Sequence, residues 1–516
     1  MSKKEKQELS KKEQYRAERE ARIEALRNED GSKKPIKVKD KKKRKRGIWI
    51  AVAVLLALVL VFYITWLLGV PQRYLNAAEV GDADIKVTEY NYSYFSTYNT
   101  YNQYFGGGGL LNLREDSSEI TGQEMSWGDF FRESTEKSLQ EVNIVCQKAL
   151  EAGYTLDEEE QASIDNFFAQ RKAQIGTPLD FEVYLEAAYG KGMKEDVLRK
   201  ILEKQTLAAK YSREAPDKYE ITAEDISREY EENKDDYDLY SYLNYVLRTP
   251  TKDEDGNDLS AEEINEKKKD YEKIADKIKE EADSPEALAA LLVEEGVEEE
   301  GFDLASYTYK NRPGSIINEG EGKDWLTDEA RKEGDITSLA SGNNFKILYF
   351  LSRDEDSRKT ADAYVAVFPK RDDAGKDLTE DQISAIQQEA EKLGEELKSS
   401  EDYADYAAKA PEENVPKASM VQRYEGVVSN QLNTFEEEVL SYILSPDVRT
   451  QKSKVIETDY AVYLVFVEKT YDQSSKDRII EDKMQADSYS KDLDSWLASD
   501  DYAFEEKRPG FWMTGK

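Results

Sequence analysis

Chemistry in this chain has to come from an unusual set of side chains. There are 33 tyrosines, 108 aspartates and glutamates, and 73 lysines and arginines, but only one cysteine, Cys146, and no histidine. Without histidine, Ser-His-Asp and Cys-His catalysis, histidine metal sites and histidine general bases are excluded. What remains is Asp, Glu, Tyr, Ser, Lys and the backbone. The acidic runs Val297-Glu298-Glu299-Glu300 and Asp354-Glu355-Asp356 are candidate calcium ligands, but they lack EF-hand spacing and read as solvated loops. No carboxylate pair stands out as a general acid and base, because spacing in sequence does not bring such residues together. A single cysteine excludes an internal disulfide, and no zinc-site spacing is present. The sequence therefore predicts no metal and no cofactor.

The densest run of one chemical type is Tyr90 to Phe105, YNYSYFSTYNTYNQYF, followed by Gly106 to Gly109. Tyr90, Tyr94, Tyr98, Tyr101 and Phe105 recur at helical spacing and share one face, with Asn91, Ser93, Thr97, Asn99 and Asn102 filling much of the rest. Thr88 is the expected N-cap, Glu89 an acidic first-turn residue, and the glycines the end of the helix. A base-stacking role is excluded by charge. Residues 1–47 hold 19 basic and 9 acidic residues, which leaves 54 basic and 99 acidic residues in 48–516. Phosphate binding needs a basic surface, so no nucleic acid partner is expected. Mean hydropathy is −0.79 and 35% of residues are charged, which suits a largely soluble chain in a cation-rich cell wall.

One segment departs from that. From Ile48 to Val70 the chain runs 23 residues without a charge, about 34 Å as a helix and enough to cross a bilayer. Trp49, Tyr63 and Trp66 sit near its ends, and Lys41 to Arg46, KKKRKR, abuts it. Positive charge stays in the cytoplasm. The expected arrangement is a single-pass cell-membrane protein with residues 1–47 cytoplasmic, 48–70 in the lipid bilayer and 71–516 outside. The apolar run is too long for a cleaved signal peptide, and Asn76-Ala77-Ala78 is a poor cleavage site. The tail reads as a charged helix to about Asp30, a linker rich in Gly, Ser, Lys and Pro, and a topogenic cluster; contact with anionic lipid or a cytoplasmic partner is the functional alternative.

The elements that must position these residues follow from periodicity and caps. Residues 78–87 read as a short extended segment. Helices are expected at 126–152, at 155–176 with a Thr155/Glu158 capping box, at 181–189, at 194–211 and at 223–233 behind Thr222. The pattern then changes to a strand at 238–248, helices at 261–282 and 285–295, and a strand at 345–352. The same β-α-α-β order recurs as a strand at 363–368, helices at 380–398 and 403–408, and a strand at 461–468. Pro250 and Pro369 each follow a first strand, and an internal duplication is inferred. A final amphipathic helix spans 477–498, and Trp512 lies in the tail.

Several stretches resemble the SurA/PrsA-like extracytoplasmic foldases. VGDADIKVTEYNYSYF resembles their opening strand and first helix, and LEAAYGKGMKEDVLRKILEKQTLAAKY resembles the central helices of the chaperone module. ITAEDISREYEENKDDY resembles the helix leading into a parvulin-type prolyl isomerase domain, and EGDITSLASGNNFKILYFLSR resembles the end of one. The resemblance implies an α+β fold with these parts: a cytoplasmic tail (1–47), a transmembrane anchor (48–70), a helical chaperone module (78–236), two parvulin-like domains (237–355 and 360–472), and a C-terminal helix and tail (476–516) returning to the helical module. Parvulins usually carry a histidine in the first strand and one in the last. The matched positions here are Tyr245 and Lys346, then Tyr364 and Val462, so the resemblance carries no catalytic residue over.

The function this implies is a membrane-anchored chaperone that binds unfolded or newly translocated polypeptides. The first helix is largely internal in such folds, so client contact is expected from Tyr92, Phe95 and Tyr104 off its aromatic stripe. An active isomerase is the first alternative, with Tyr245, Leu247, Trp325, Leu326 and Phe345 lining an apolar groove. Prolyl isomerisation makes and breaks no bond, so a dry pocket and one aimed hydrogen bond are enough for it. A scaffold binding one folded partner is the second alternative. Homodimerisation is left open.

Overall fold

The computed structural model describes residues 3–24, 41–107, 109–253, 255–372, 374–408 and 420–515. The Gly- and Pro-containing linker of the tail lies outside them. The chain forms two compact units, Met1–Tyr211 with Trp496–Lys516, and Ser212–Ser495.

The first unit opens with α1 (Lys3–Glu24) and α2 (Lys41–Leu67). Within α2, Trp49–Leu67 is long and apolar enough to cross a membrane, and none of it is buried. A helix apolar on every side has no face to turn toward a soluble core, which is compatible with a membrane anchor or a signal sequence. The helix stops at Leu67, short of the expected Val70, because Gly69 is left-handed (φ 70°). A Cβ on Gly69 would meet the backbone N of Gly192 at 2.2 Å. Next come α3 (Val70–Tyr74), β1 (Asn76–Val80) and β2 (Ala83–Lys86). The latter two form an antiparallel hairpin through Gly81 (φ 54°), where a single extended segment was expected.

Then follow α4 (Val87–Phe105), α5 (Ser118–Thr121), α6 (Trp127–Glu151), α7 (Glu158–Ile175), α8 (Pro178–Tyr189) and α9 (Glu195–Glu214). The N-cap of α4 is Lys86; Thr88 lies inside the helix, buried. The capping box of α7 is Asp157 with Glu160, two residues beyond the expected pair.

The second unit continues through α10 (Ala223–Glu232), α11 (Lys234–Tyr237), β3 (Leu239–Leu247), α12 (Ala261–Glu281), α13 (Pro285–Glu294), β4 (Thr308–Pro313), α14 (Glu321–Thr327), β5 (Ile336–Ser341) and β6 (Asn344–Asp354). It goes on through β7 (Lys359–Pro369), α15 (Glu380–Glu396), α16 (Ser400–Ala407), β8 (Met420–Val427), α17 (Glu437–Ile443), β9 (Ser453–Glu457), β10 (Ala461–Ser474) and α18 (Ser475–Leu497). The strand orders are β4-β3-β6-β5 and β8-β7-β10-β9, all antiparallel. Element for element the two halves repeat. Each runs β-α-α-β-α-β-β, which adds an edge strand on either side and a helix to the expected pattern. The edge strands escaped the sequence reading because they are polar: β4 is TYKNRP.

Both faces of each sheet are covered. One face of the first sheet packs Leu243, Tyr245, Leu247, Phe345 and Ile347 beneath α12 and α13. The other packs Tyr240, Tyr242, Leu348 and Phe350 against Ile317 and Leu326. In the second sheet Tyr364, Ala366, Val462 and Phe466 lie beneath α15 and α16, and Ala363, Val365, Val465 and Val467 beneath α17. In α18, Tyr489 bonds to Ser212 (2.9 Å), Asp492 accepts from Tyr219 (2.5 Å) and Lys483 donates to Glu229 (3.0 Å).

Beyond α18 the chain closes the first unit. The short strand β11 (Glu505–Glu506) pairs with β1, giving a sheet of order β11-β1-β2. Phe511 meets the ring of Tyr90 edge-on at 5.6 Å, and Phe504 lies 6.5 Å from it. Tyr90 and Tyr94 are buried with Trp127 and Phe131, so the aromatic stripe of α4 is core at its start. Deleting residues 496–516 should therefore strip hydrogen-exchange protection from 76–105 and leave 239–354 protected, and Phe511→Ala should cost about 2–3 kcal/mol in denaturant unfolding. Unchanged exchange in 76–105 after the deletion would refute this.

Candidate functional site

The register of the first sheet decides what Tyr245 and Lys346 can do together. Tyr245 is opposite Ile347, and Lys346 is opposite Val246. Adjacent residues on a strand point to opposite faces, so Tyr245 and Lys346 lie on opposite faces of the sheet. Tyr245 is buried, its hydroxyl donates to Glu298 Oε1 at 2.5 Å, and Tyr307 and Phe302 pack on its ring at 5.1 and 5.9 Å. Burial and then the Glu298 carboxylate push its pKa well above the tyrosine range. Lys346 Nζ reaches Glu319 Oε2 at 2.7 Å on the other side.

The second sheet treats its counterparts differently. Tyr364 and Val462 share the face beneath α15 and α16, and both are buried. Tyr364 packs 5.6 Å from Tyr403, while Val462 offers no polar atom. The proposed groove residues divide in the same way. Tyr245, Leu247 and Phe345 belong to the face under α12 and α13, whereas Trp325 and Leu326 belong to the opposite one. Leu247 and Leu326 are fully buried. Trp325 is half-buried with the Arg331 guanidinium 4.8 Å over its ring. These five side chains form two halves of two cores and no common groove.

In the first unit the three residues off the stripe also separate. Tyr92 is half-buried 4.9 Å from Tyr189, in a second apolar cluster with Phe168 and Phe181. Phe95 is half-buried beside Tyr94. Tyr104 is 73% exposed. Close to it in sequence, Phe105 at the end of α4 and Leu110 and Leu113 beyond it are also exposed, Leu110 to 82%. Leu111 and Leu113 are held in place, since Leu111 N donates to Asn102 Oδ1 at 2.8 Å and Gly128 N to Leu113 O at 2.8 Å. Leu110 and Leu113 carry no periodic signal in the sequence because they follow the glycine run that ends the helical pattern.

The acidic runs are more engaged than solvated loops would be. Glu298 holds Tyr245, Glu355 pairs with Lys476 at 2.8 Å, and Asp356 is buried against Arg358 at 2.8 Å. Among the described residues no cluster of His, Cys, Asp or Glu is arranged to hold a metal ion.

A further buried carboxylate with several partners is one the sequence did not single out. Asp362 in β7 is 1% exposed and accepts from Gly426 N (2.8 Å) and the Tyr471 hydroxyl (2.9 Å), with Arg423 and Lys469 at 3.2 and 3.3 Å. Burial works to raise its pKa. The Gly426 and Tyr471 hydrogen bonds and the Lys469 charge outweigh burial and hold the carboxyl below its ordinary range. A group with a lower pKa folded than unfolded stabilises the fold above its ordinary value, and that contribution fades as pH falls. Acid melting curves should thus lose stability from about pH 5 downward, and Asp362→Asn should flatten that limb while lowering stability at neutral pH by about 2 kcal/mol. An unaltered acid limb in the variant would contradict the assignment.

No protein-family model matches the chain, and no curated protein matches it. Among solved structures, the chain is similar over 47% of its length to the foldase protein PrsA from Streptococcus pneumoniae str. Canada MDR_19A, at 17% identity over 79% of that chain with a TM-score of 0.20. It is also similar to PrsA from Bacillus subtilis, at 18% identity over 47% of this chain and 79% of that one, with a TM-score of 0.14.

Proposed function

We propose that the protein is a membrane-anchored chaperone outside the cytoplasm that holds unfolded or newly translocated polypeptides. The observation that carries this reading is the exposed apolar end of α4, with Tyr104, Phe105, Leu110 and Leu113 within ten positions of one another on an otherwise strongly acidic chain. Single exposed apolar residues are ordinary, but four so close in sequence are the material of a contact surface. Tyr and Leu suit weak, unselective contact with apolar client segments. The apolar helix Trp49–Leu67, with basic residues before it, supports anchoring with the bulk of the chain outside.

Parvulin-like ancestry rests on the resemblance of the first repeat's sequence, and the shared strand order of the two repeats supports a duplication. Holding is favoured over isomerisation because the matched positions are buried in cores or ion-paired, and Tyr245 and Lys346 lie on opposite faces of their sheet.

The test uses the full-length protein in detergent micelles, added to a substrate whose refolding is limited by a proline. Retarded refolding and suppressed aggregation at near-stoichiometric amounts are expected, with no acceleration of the slow phase. Tyr104→Ser combined with Leu110→Ser should weaken client binding at least about fivefold, from the apolar area removed. Acceleration at substoichiometric amounts would instead establish an isomerase, and no effect of any kind would favour a scaffold.

A further inference from the structure

Within the second unit, β4 of the first repeat and α17 of the second face each other across a cleft of about 910 Å³. β4 is an edge strand, so its outer side is unmatched by any strand of its own sheet. One outward backbone donor, Lys310 N, is answered by a carboxylate oxygen of Glu437 at 3.2 Å, where the carbonyl of an added strand would sit. Burial raises the Glu437 pKa, although Arg312 opposes this with its Nη2 3.5 Å from Oε2.

Polar side chains open to solvent collect around this cleft. The side-chain amides of Asn318, Asn430 and Asn433 line it and bond to no described residue. Arg312 stacks 4.4 Å over Tyr309, and its buried Nε has no acceptor. Primary amides offer both a donor and an acceptor, which matches the alternating N–H and C=O of an extended peptide backbone. The charge is lopsided too. Glu438 and Asp459 line the same cleft and form no ion pair among the described residues, against one unpaired cation, Lys310.

We infer that this cleft binds an extended polypeptide through its main chain, with preference for segments carrying Lys or Arg. The inference rests on the chaperone reading and gives it a second, polar site: the end of α4 takes apolar segments, and the cleft takes extended cationic ones. An extended chain laid along β4 gains backbone hydrogen bonds at the strand edge, amide contacts from the asparagines, and charge complementarity from Glu438 and Asp459.

The probe is a short fluorescent peptide of Gly, Ser, Asn and Lys, compared with its counterpart in which Glu replaces Lys. Binding to the full-length protein in micelles is read by anisotropy. The Lys peptide should bind better, and Asn318→Ala, Asn430→Ala and Asn433→Ala together should weaken it about tenfold or more. Glu438→Lys with Asp459→Lys should reverse the preference between the two peptides. All five positions are polar and outside the cores, and the thermal transition should be unchanged in both variants. A Leu- and Phe-rich peptide, whose binding should respond to Leu110→Ser, reports the chaperone reading separately. If that peptide binds but the Lys peptide does not bind, or ignores the cleft variants, or binds no better than the Glu peptide, the inference fails alone. If neither peptide binds, both readings fail.

Discussion

The first unit depends on closure by the far end of its own chain. The hairpin of β1 and β2 is two short strands, too little to hold itself together in water. It becomes a three-stranded sheet only when β11 arrives from more than 400 residues downstream. With it come Phe504 and Phe511, which complete the enclosure of Tyr90. Gly510 sits so tightly on this junction that a Cβ there would fall 1.9 Å from Asn76 O. Residues 212–495 are thus an excursion between two strands of one small sheet, and the aromatic face of α4 is a core only once that excursion is complete.

The second unit shows what a duplicated sheet retains when its polar positions change. The hairpins at 252–260 and 371–379 keep one scheme. An aspartate, Asp253 or Asp372, accepts from backbone N–H groups across a turn with glycine at Gly256 or Gly375, and Ser260 or Thr379 then caps the next helix. This repeat was visible in the sequence as a shared basic-Asp-x-x-Gly-x-Asp-Leu-Ser/Thr pattern, a stronger signal of duplication than the two prolines alone. Turn chemistry persists because positive φ at glycine and the local hydrogen bonds leave few substitutes.

The central strands were legible for a physical reason. They are covered on both faces, so they read as nearly continuous apolar runs, and the helices announce themselves by caps such as Thr222, Ser260 and Ser284. The edge strands were not legible, because one side of each is solvated and polar. The candidate site was legible only in part. Tyr104 stood out by its position off the aromatic stripe, whereas Leu110 and Leu113 carry no periodic signal. Asp362 looked like any other carboxylate among 108 acidic residues until Gly426, Arg423, Lys469 and Tyr471 converged on it.

By itself the sequence determined that histidine chemistry is absent, that one helix is apolar all round, that the chain beyond it is strongly acidic, and that a strand-and-helix pattern occurs twice. All of these are properties of composition or of near-neighbour spacing. Tertiary structure alone decided which residues meet. A one-residue difference in register puts Lys346 on the face opposite Tyr245. Pairing with β11 makes α4 a core helix, and the approach of α17 to β4 creates a cleft whose two walls lie more than a hundred residues apart. Period and charge are written locally, but register and long-range contact depend on how whole faces pack, and no short stretch of sequence carries that information.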